Sequence, residues 1–242
     1  MKNKILLSSM GDSAITVSFG NEINLECHQK VRALLQSLER QAWDFIKDCI
    51  PSYTTITVCY DPYKVVKSLG HSMTVSAFAL MQNLLTELID SLDEKPSQAH
   101  SKLVEIPVCY QGEFALDLDF VAQHCRLSPQ EVIRQHSSSE YLVYMLGFAP
   151  SFSYLGGLPS SLTTPRRQQP RLLIPAGAVG IAGSQTGVYP LATPGGWQLI
   201  GRTPLALFLP QKNPPCLLRA GDRVRFCPIS SAEYYHYLEE RP

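Results

Sequence analysis

Between Gly147 and Gly221 no run free of both proline and glycine is longer than five residues. An ordinary helix needs about eleven, so this third of the chain cannot be helical. Its short apolar runs, punctuated by breakers, are the pattern of a β-barrel or sandwich with long ordered loops. The flanking segments read differently. Leu103 to Tyr110 and Tyr141 to Leu146 have strand character, with two short helices between them at Asp117 to Cys125 and Pro129 to His136. Ser128 caps the second helix, and Glu131 stands where a capping box needs it. Leu217 to Cys227 is expected to be a hairpin turning at Ala220-Gly221-Asp222, followed by a short helix from Ala232 to Glu240.

The first 95 or so residues carry regular periodicities instead. Ile15, Val17 and Phe19 alternate as in a half-buried strand. Asn24 can cap a helix whose apolar stripe is Leu25, His28, Val31, Leu34, Leu35 and Leu38. Tyr53 to Tyr60 is a β-branched run after Pro51, and Ser76 to Leu92 is again helical. The polar, proline-bearing stretch from Asp93 to Ser101 lacks any apolar period and marks a boundary. The expected class is therefore α+β, with a small α/β sandwich domain over residues 1–95 and a barrel domain over 102–242.

Charge locates the function. The stretch between Glu140 and Asp222 has no acidic residue, yet holds Arg166, Arg167, Arg171, Arg202, Lys212 and Arg219. The chain is neutral as a whole, with 21 basic and 21 acidic residues, so the remainder is correspondingly negative. A segregated cationic face attracts small anions without general stickiness. Neutrality argues against nucleic acid as the main partner. Eleven of the fifteen glycines share this stretch. Glycine lets backbone N–H groups approach a ligand, and arginine offers a planar fork to carboxylate or phosphate. The seven cysteines form no CxxC pair and no metal spacing, which reads as reduced packing residues in a cytoplasmic protein. No apolar run approaches the roughly 18 residues of a membrane span. The start is basic then apolar, but Gly11-Asp12 interrupts it too early for a signal peptide.

Four segments concentrate the candidates, three of them with a plainer alternative. Gly147 to Pro159 is one wall of a pocket lined by Phe148, Phe152 and Tyr154, or ordinary core beneath a long loop. Thr163 to Arg171 holds three arginines between prolines and either clamps an anion or faces water. Gly183 to Pro190 offers Gln185, Thr186 and Tyr189 to a polar ligand, or is merely a barrel turn. Thr193 to Thr203 adds Gly195, Gly196, Trp197 and Arg202. His136, ending a helix, is a candidate acid or base, or a carbonyl cap. Asp117 and Asp119 stand at a helix start, where they favour the dipole. No histidine pairs with other residues in a way that suggests a metal.

Taken in order, Gly147-Phe-Ala-Pro, Tyr154-Leu-Gly-Gly-Leu, Thr164-Pro-Arg-Arg, Pro170-Arg171, Pro175-Ala-Gly, Val179-Gly-Ile-Ala-Gly, Gln185-Thr-Gly, Thr193-Pro-Gly-Gly-Trp and Ile200-Gly-Arg-Thr resemble the family of 5-oxoprolinase B subunits, also called KipI-like or allophanate hydrolase subunit 1. Gly11-Asp12-Ser13-Ala14 and Gly221-Asp222-Arg223 extend the resemblance to nearly the full length. The family usually has glycine and proline where this chain has Ser151 and Ser153, and commonly serine at Ala178. The resemblance implies an N-terminal α/β domain before a cyclophilin-like barrel. It also implies partner subunits A and C and ATP as co-substrate in opening 5-oxoproline to glutamate. On that reading Arg166, Arg167, Arg171 and Arg202 hold the anion, and Gln185, Thr186 and Tyr189 orient the substrate. One branch of the family instead inhibits a sensor histidine kinase, which is the alternative. Cyclophilin-like shape carries no isomerase activity with it.

Overall fold

The computed structural model describes residues 5–69, 75–92 and 101–240. Its internal contacts divide the chain into two compact units, Met1–Ala99 and His100–Pro242. The polar stretch expected to mark a boundary lies, from residue 93 to 100, outside the described residues.

In the first unit, β1 (Leu6–Ser9), β2 (Ala14–Ser18), β3 (Ile46–Pro51) and β4 (Thr55–Tyr60) form an antiparallel sheet of order β1-β2-β4-β3. Three helices accompany it, α1 (Leu25–Gln41), α2 (Pro62–Leu69) and α3 (Ala77–Asp90). Asn24 caps α1 as its sequence position suggests, accepting from the Cys27 amide at 2.8 Å. Alternation places Ile15, Val17, Ile56 and Val58 on the helix side, where Val31, Leu34, Met81 and Leu85 cover them completely. Each such side chain contributes about 2 kcal/mol relative to exposure. Leu6–Ser9 of the apolar start form β1, returned onto β2 through Gly11 at φ 70°. The strand expected after Pro51 forms as β4, but Pro51 also ends a strand the sequence did not announce: no residue of β3 is fully buried and the strand is bulged, so it shows little alternation.

The second unit is a closed seven-stranded barrel. Its members are β5 (Leu103–Cys109), β6 (Glu140–Leu146), β7 (Ser153–Gly156), β9 (Ala178–Ala182), β10 (Gln185–Val188), β12 (Gln198–Arg202) and β13 (Arg223–Ile229). Their order is β10-β7-β6-β13-β5-β12-β9, closed by β9 against β10. Among the described residues two further strands, β8 (Arg171–Ile174) and β11 (Thr193–Gly195), pair only with each other. Helices α4 (Leu118–Cys125), α5 (Pro129–Ser138) and α6 (Ser231–Glu239) complete the unit. This is a mixed α/β chain with a barrel, the class anticipated.

Two local expectations are corrected. Leu217 to Cys227 is not a hairpin, because β13 runs parallel to β5 and antiparallel to β6. The turn before it is held by the Asp222 carboxylate, which accepts from the Arg219 amide at 2.9 Å. Ser128 does cap α5, but Glu131 turns away to Arg134 and Gln135, so no capping box closes there. The box forms instead at Ser230 and Glu233, opening α6.

Candidate functional site

Asp117 reorganises the arginine cluster. It stands at the start of α4 but makes no cap there. Its carboxylate, 5% exposed as a residue, accepts from the Leu199 amide at 2.7 Å, from Arg167 Nη1 at 3.0 Å and from both ends of the Arg171 fork at 2.9 and 2.8 Å. Thus two of the four arginines expected to hold a ligand are held by the protein's own carboxylate. The expected dipole role of Asp117 gives way to a physically stronger one, a charge-assisted bidentate bond in a dry environment. No nearby sequence signal announces this pairing, since Asp117 lies some fifty positions from its partners. The one usable hint is that a stretch with six cations and no anion must find neutralising charge elsewhere in the chain.

What remains unpaired marks the candidate site. Arg166 is exposed and has no hydrogen-bond or ion-pair partner among the described residues. Arg167 keeps its Nε–H buried and unpartnered. Arg202 is half-buried and donates from Nε to the Ala176 carbonyl at 2.9 Å, which leaves its two terminal nitrogens free among the described residues. The Ala176-Gly177 turn that receives it is pinned on both sides. The Gly177 amide donates to the Tyr189 carbonyl at 2.7 Å, and a Cβ on Gly177 would stand 2.3 Å from the Thr203 carbonyl oxygen. No larger residue fits.

Beneath these arginines the expected pocket-lining aromatics form a packed cluster instead. Phe152, Tyr189 and Trp197 are buried and meet edge to face, with Phe152 centroids 5.0 Å from Tyr189 and 5.4 Å from Trp197. Such contacts fix side-chain orientation. Gly195 lies directly over this cluster, since a Cβ there would stand 2.5 Å from the Tyr189 hydroxyl. Burial pushes the Tyr189 phenol up to about 12, partly offset by a hydrogen bond from the Trp197 backbone and by the Arg166 charge. Tyr154 is half-buried at the edge of the cluster, raised by burial and lowered by the same Arg166 charge. Arg166 therefore sits electrostatically beside both phenols. A Cβ on Gly196 would be in ordinary contact with Pro170 at 3.7 Å and the Arg167 carbonyl at 3.8 Å, whereas Gly183 is the exposed turn between β9 and β10, with open space around it and Gln185 half-buried beside it. Tyr189, expected to orient the substrate, and Trp197, expected to line the pocket, are both buried in this cluster.

Thr186 and His136 do not belong to it. His136 is fully buried; its Nδ1 is 2.8 Å from the Tyr110 hydroxyl and its Nε2 is 2.9 Å from Thr186 Oγ1. Thr186 Oγ1 in turn donates to the Gly180 carbonyl at 3.0 Å. The hydrogen bonds then run from Tyr110 through His136 and Thr186 to the accepting Gly180 carbonyl, with a neutral imidazole protonated on Nε2. Burial holds its pKa down at about 3. The expected acid/base role is revised accordingly, because the proton is committed to an internal bond and no solvent reaches the ring.

The loop from Gly147 to Phe152 is strained where the family resemblance foresaw a departure. Phe148 and Ser151 both adopt φ 68°, a region that favours glycine. Ser151 is held there by donating to the Leu207 carbonyl at 2.8 Å. Phe148 remains 65% exposed, packed edge-on against Phe152. No cluster of three or more metal-ligating side chains occurs among the described residues.

This two-unit architecture, a helix-covered sheet and a barrel with a cationic face, places the chain in a class: residues 5–218 match the family described as carboxyltransferase domain, subdomain C and D. The chain is 50% identical over 234 residues to the 5-oxoprolinase B subunit of Bacillus subtilis, covering 97% of each. It is 43% identical to the 5-oxoprolinase B subunit of Escherichia coli O157:H7, covering 90% of this chain and 94% of that one. The crystal structure of TTHA0988 superposes with a TM-score of 0.75 at 35% identity over 90% of this chain, which spans only 40% of that longer one. The chain belongs to the family of 5-oxoprolinase B subunits.

Proposed function

We propose that this chain serves as the B component of a cytoplasmic ATP-dependent 5-oxoprolinase, opening 5-oxo-L-proline to L-glutamate together with subunits A and C. The observation that carries the reading is near-complete coverage in both directions by a relative of that name at 50% identity. Ring opening of an unactivated lactam by water is slow. Phosphorylation of its oxygen by ATP makes the ring carbon electrophilic: water adds there, the C–N bond breaks as the nitrogen takes up a proton, and a second water releases phosphate from the resulting acyl phosphate, with negative charge carried on the phosphoryl oxygens. The unpaired guanidinium groups of Arg166 and Arg202 and the Nε–H of Arg167 suit that charge, since donors fixed in advance need no reorganisation when it appears. Asp117 supports them by holding the Arg167 fork still. The sequence has no GxxxxGK[ST] phosphate loop, so in this reading the nucleotide is bound mainly by a partner. Kinase inhibition draws less support, because relatives covering at least nine-tenths of the chain carry the enzyme-subunit name.

The test is turnover by the co-purified subunits. Arg166→Ala combined with Arg202→Ala is expected to lower kcat/KM for 5-oxoproline by about 100-fold, with 5-oxoproline-dependent ATP hydrolysis falling in step. Unchanged turnover would remove these arginines from the site. Unchanged turnover when this chain is omitted would remove the function itself.

A further inference from the structure

The strand pair β8 and β11 is unlike the rest of the unit. Among the described residues β8 pairs only with β11, so its second edge faces no strand. Successive strand residues point to opposite faces, yet the two central ones, Leu172 and Leu173, are both solvent-exposed, at 91% and 68%. Single exposed leucines are ordinary, whereas two on opposite faces of one free strand are not. Edge strands are commonly guarded by charge. The nearest charge here, Arg171, is turned inward onto Asp117 and guards nothing. Pro170 and Pro175 confine the open edge to the four residues between them. Backbone pairing alone would therefore be weak, and side-chain burial must supply the affinity.

We propose that this flap inserts into an apolar, acid-rimmed cleft of a second, different subunit, which pairs with the β8 edge and covers Leu172 on one face and Leu173 on the other. Charge selects the occupant. The flap lies within the stretch that has no acidic residue, with Arg166 and Arg167 preceding it by a few positions. A second copy of this chain meeting it flap to flap would bring like charges together, whereas an acidic rim is attracted. Length agrees. In TTHA0988 the region similar to this chain is 40% of the polypeptide, so most of that chain is further protein attached in cis. Where the relative is of this length, any such neighbour must come in trans.

The inference rests on the reading of the chain as one subunit of an assembly, and the experiment separates the two. The full-length chain is mixed with separately purified subunits A and C and followed by light scattering after size exclusion, by titration calorimetry and by amide hydrogen exchange. Leu172→Asp with Leu173→Asp alters only exposed side chains and is expected to leave the thermal midpoint in place while weakening assembly at least tenfold. Exchange at residues 172 and 173 of the wild-type chain is expected to slow at least tenfold in the complex. Ile50→Asp, exposed in the other unit, is expected to leave assembly unchanged. Wild-type assembly that the double variant matches overturns the flap proposal and leaves the subunit reading standing. Equal loss with Ile50→Asp also overturns the proposal. No wild-type assembly overturns both. A wild-type homodimer abolished by the double variant overturns the choice of a different partner.

Discussion

The two units hold themselves together by different means. In the first, two of the three strand pairings are joined by short turns, β1 to β2 through Gly11 and β3 to β4 through Ser52, whose amide donates to the Thr55 carbonyl at 2.8 Å. Register there follows from local turns and from which face is apolar. In the second, β5 pairs in parallel with β13, more than a hundred residues later, and polar groups cross the interior: Tyr110, His136 and Thr186 on one side, Asp117 with Arg167 and Arg171 on the other. An apolar face specifies that a strand is buried but is tolerant of what it packs against. A buried donor or acceptor tolerates one arrangement, because leaving it unmade costs about 1–3 kcal/mol. The barrel is therefore brittle at its polar crossings, and the first unit at its apolar face.

The largest effect is expected at Asp117. Asp117→Ala strands two arginines and the Leu199 amide, and removal of one partner from such a group typically costs about 3–5 kcal/mol. Denaturant unfolding should register this as a loss in the barrel, with hydrogen exchange of α1 and β4 unaltered. An equal loss of protection in both units would break the contrast.

Acid comes next. His136 has its pKa lowered from 6.5 to about 3, chiefly by burial, and His28 in the first unit to about 4, by burial and then by the Arg32 charge. Each imidazole is depressed in the folded state, so the unfolded chain takes up the proton first. Stability is whole above about pH 6.5 and falls as pH drops toward the folded values, with a slope of up to about 1.4 kcal/mol per pH unit for each fully buried group. His136→Gln should flatten the barrel's stability between pH 6.5 and 4.5, above the main carboxylate range, while leaving the dependence due to His28. An unchanged slope would show that His136 reaches solvent.

The smallest effect is a paired one. Ala42 ends α1 at φ 46° in the first unit, exposed and held through its backbone, and Ser151 sits at φ 68° in the second with a bonded hydroxyl. Ala42→Gly should stabilise by about 0.5–1 kcal/mol. Ser151→Gly relieves similar strain but loses the bond to Leu207, so its net change should stay near zero, and Ser151→Ala should cost about 1 kcal/mol. Equal gains from both glycines in thermal unfolding would mean the Ser151 bond contributes nothing.

Much of the first unit was legible because its signals are local. The Asn24 cap, the stripe of α1 and the alternation in β2 and β4 each need only a handful of neighbouring residues. β3 and α2 escaped because a half-exposed, bulged strand and an eight-residue helix bury too little to impose a period. In the barrel, proline and glycine spacing excluded helices after Gly147 and implied short strands, yet could not tell β8 and β11 from barrel members. Their composition resembles that of the barrel strands, and only their partners differ.

The chain's own order of residues determined a helix-and-sheet unit before a strand-rich one, the cationic character of the second, and the glycines on which its close backbone approaches depend. Tertiary structure alone decided which cations remain available. Asp117 reaches Arg167 and Arg171 and leaves Arg166 to solvent, because ion pairing depends on distance in space, and the fold brings a distant helix start against the arginine loop. For the same reason it decided that His136 is a bonded, neutral part of the core: a histidine's chemistry is set by what surrounds it, and its surroundings come from strands far along the chain.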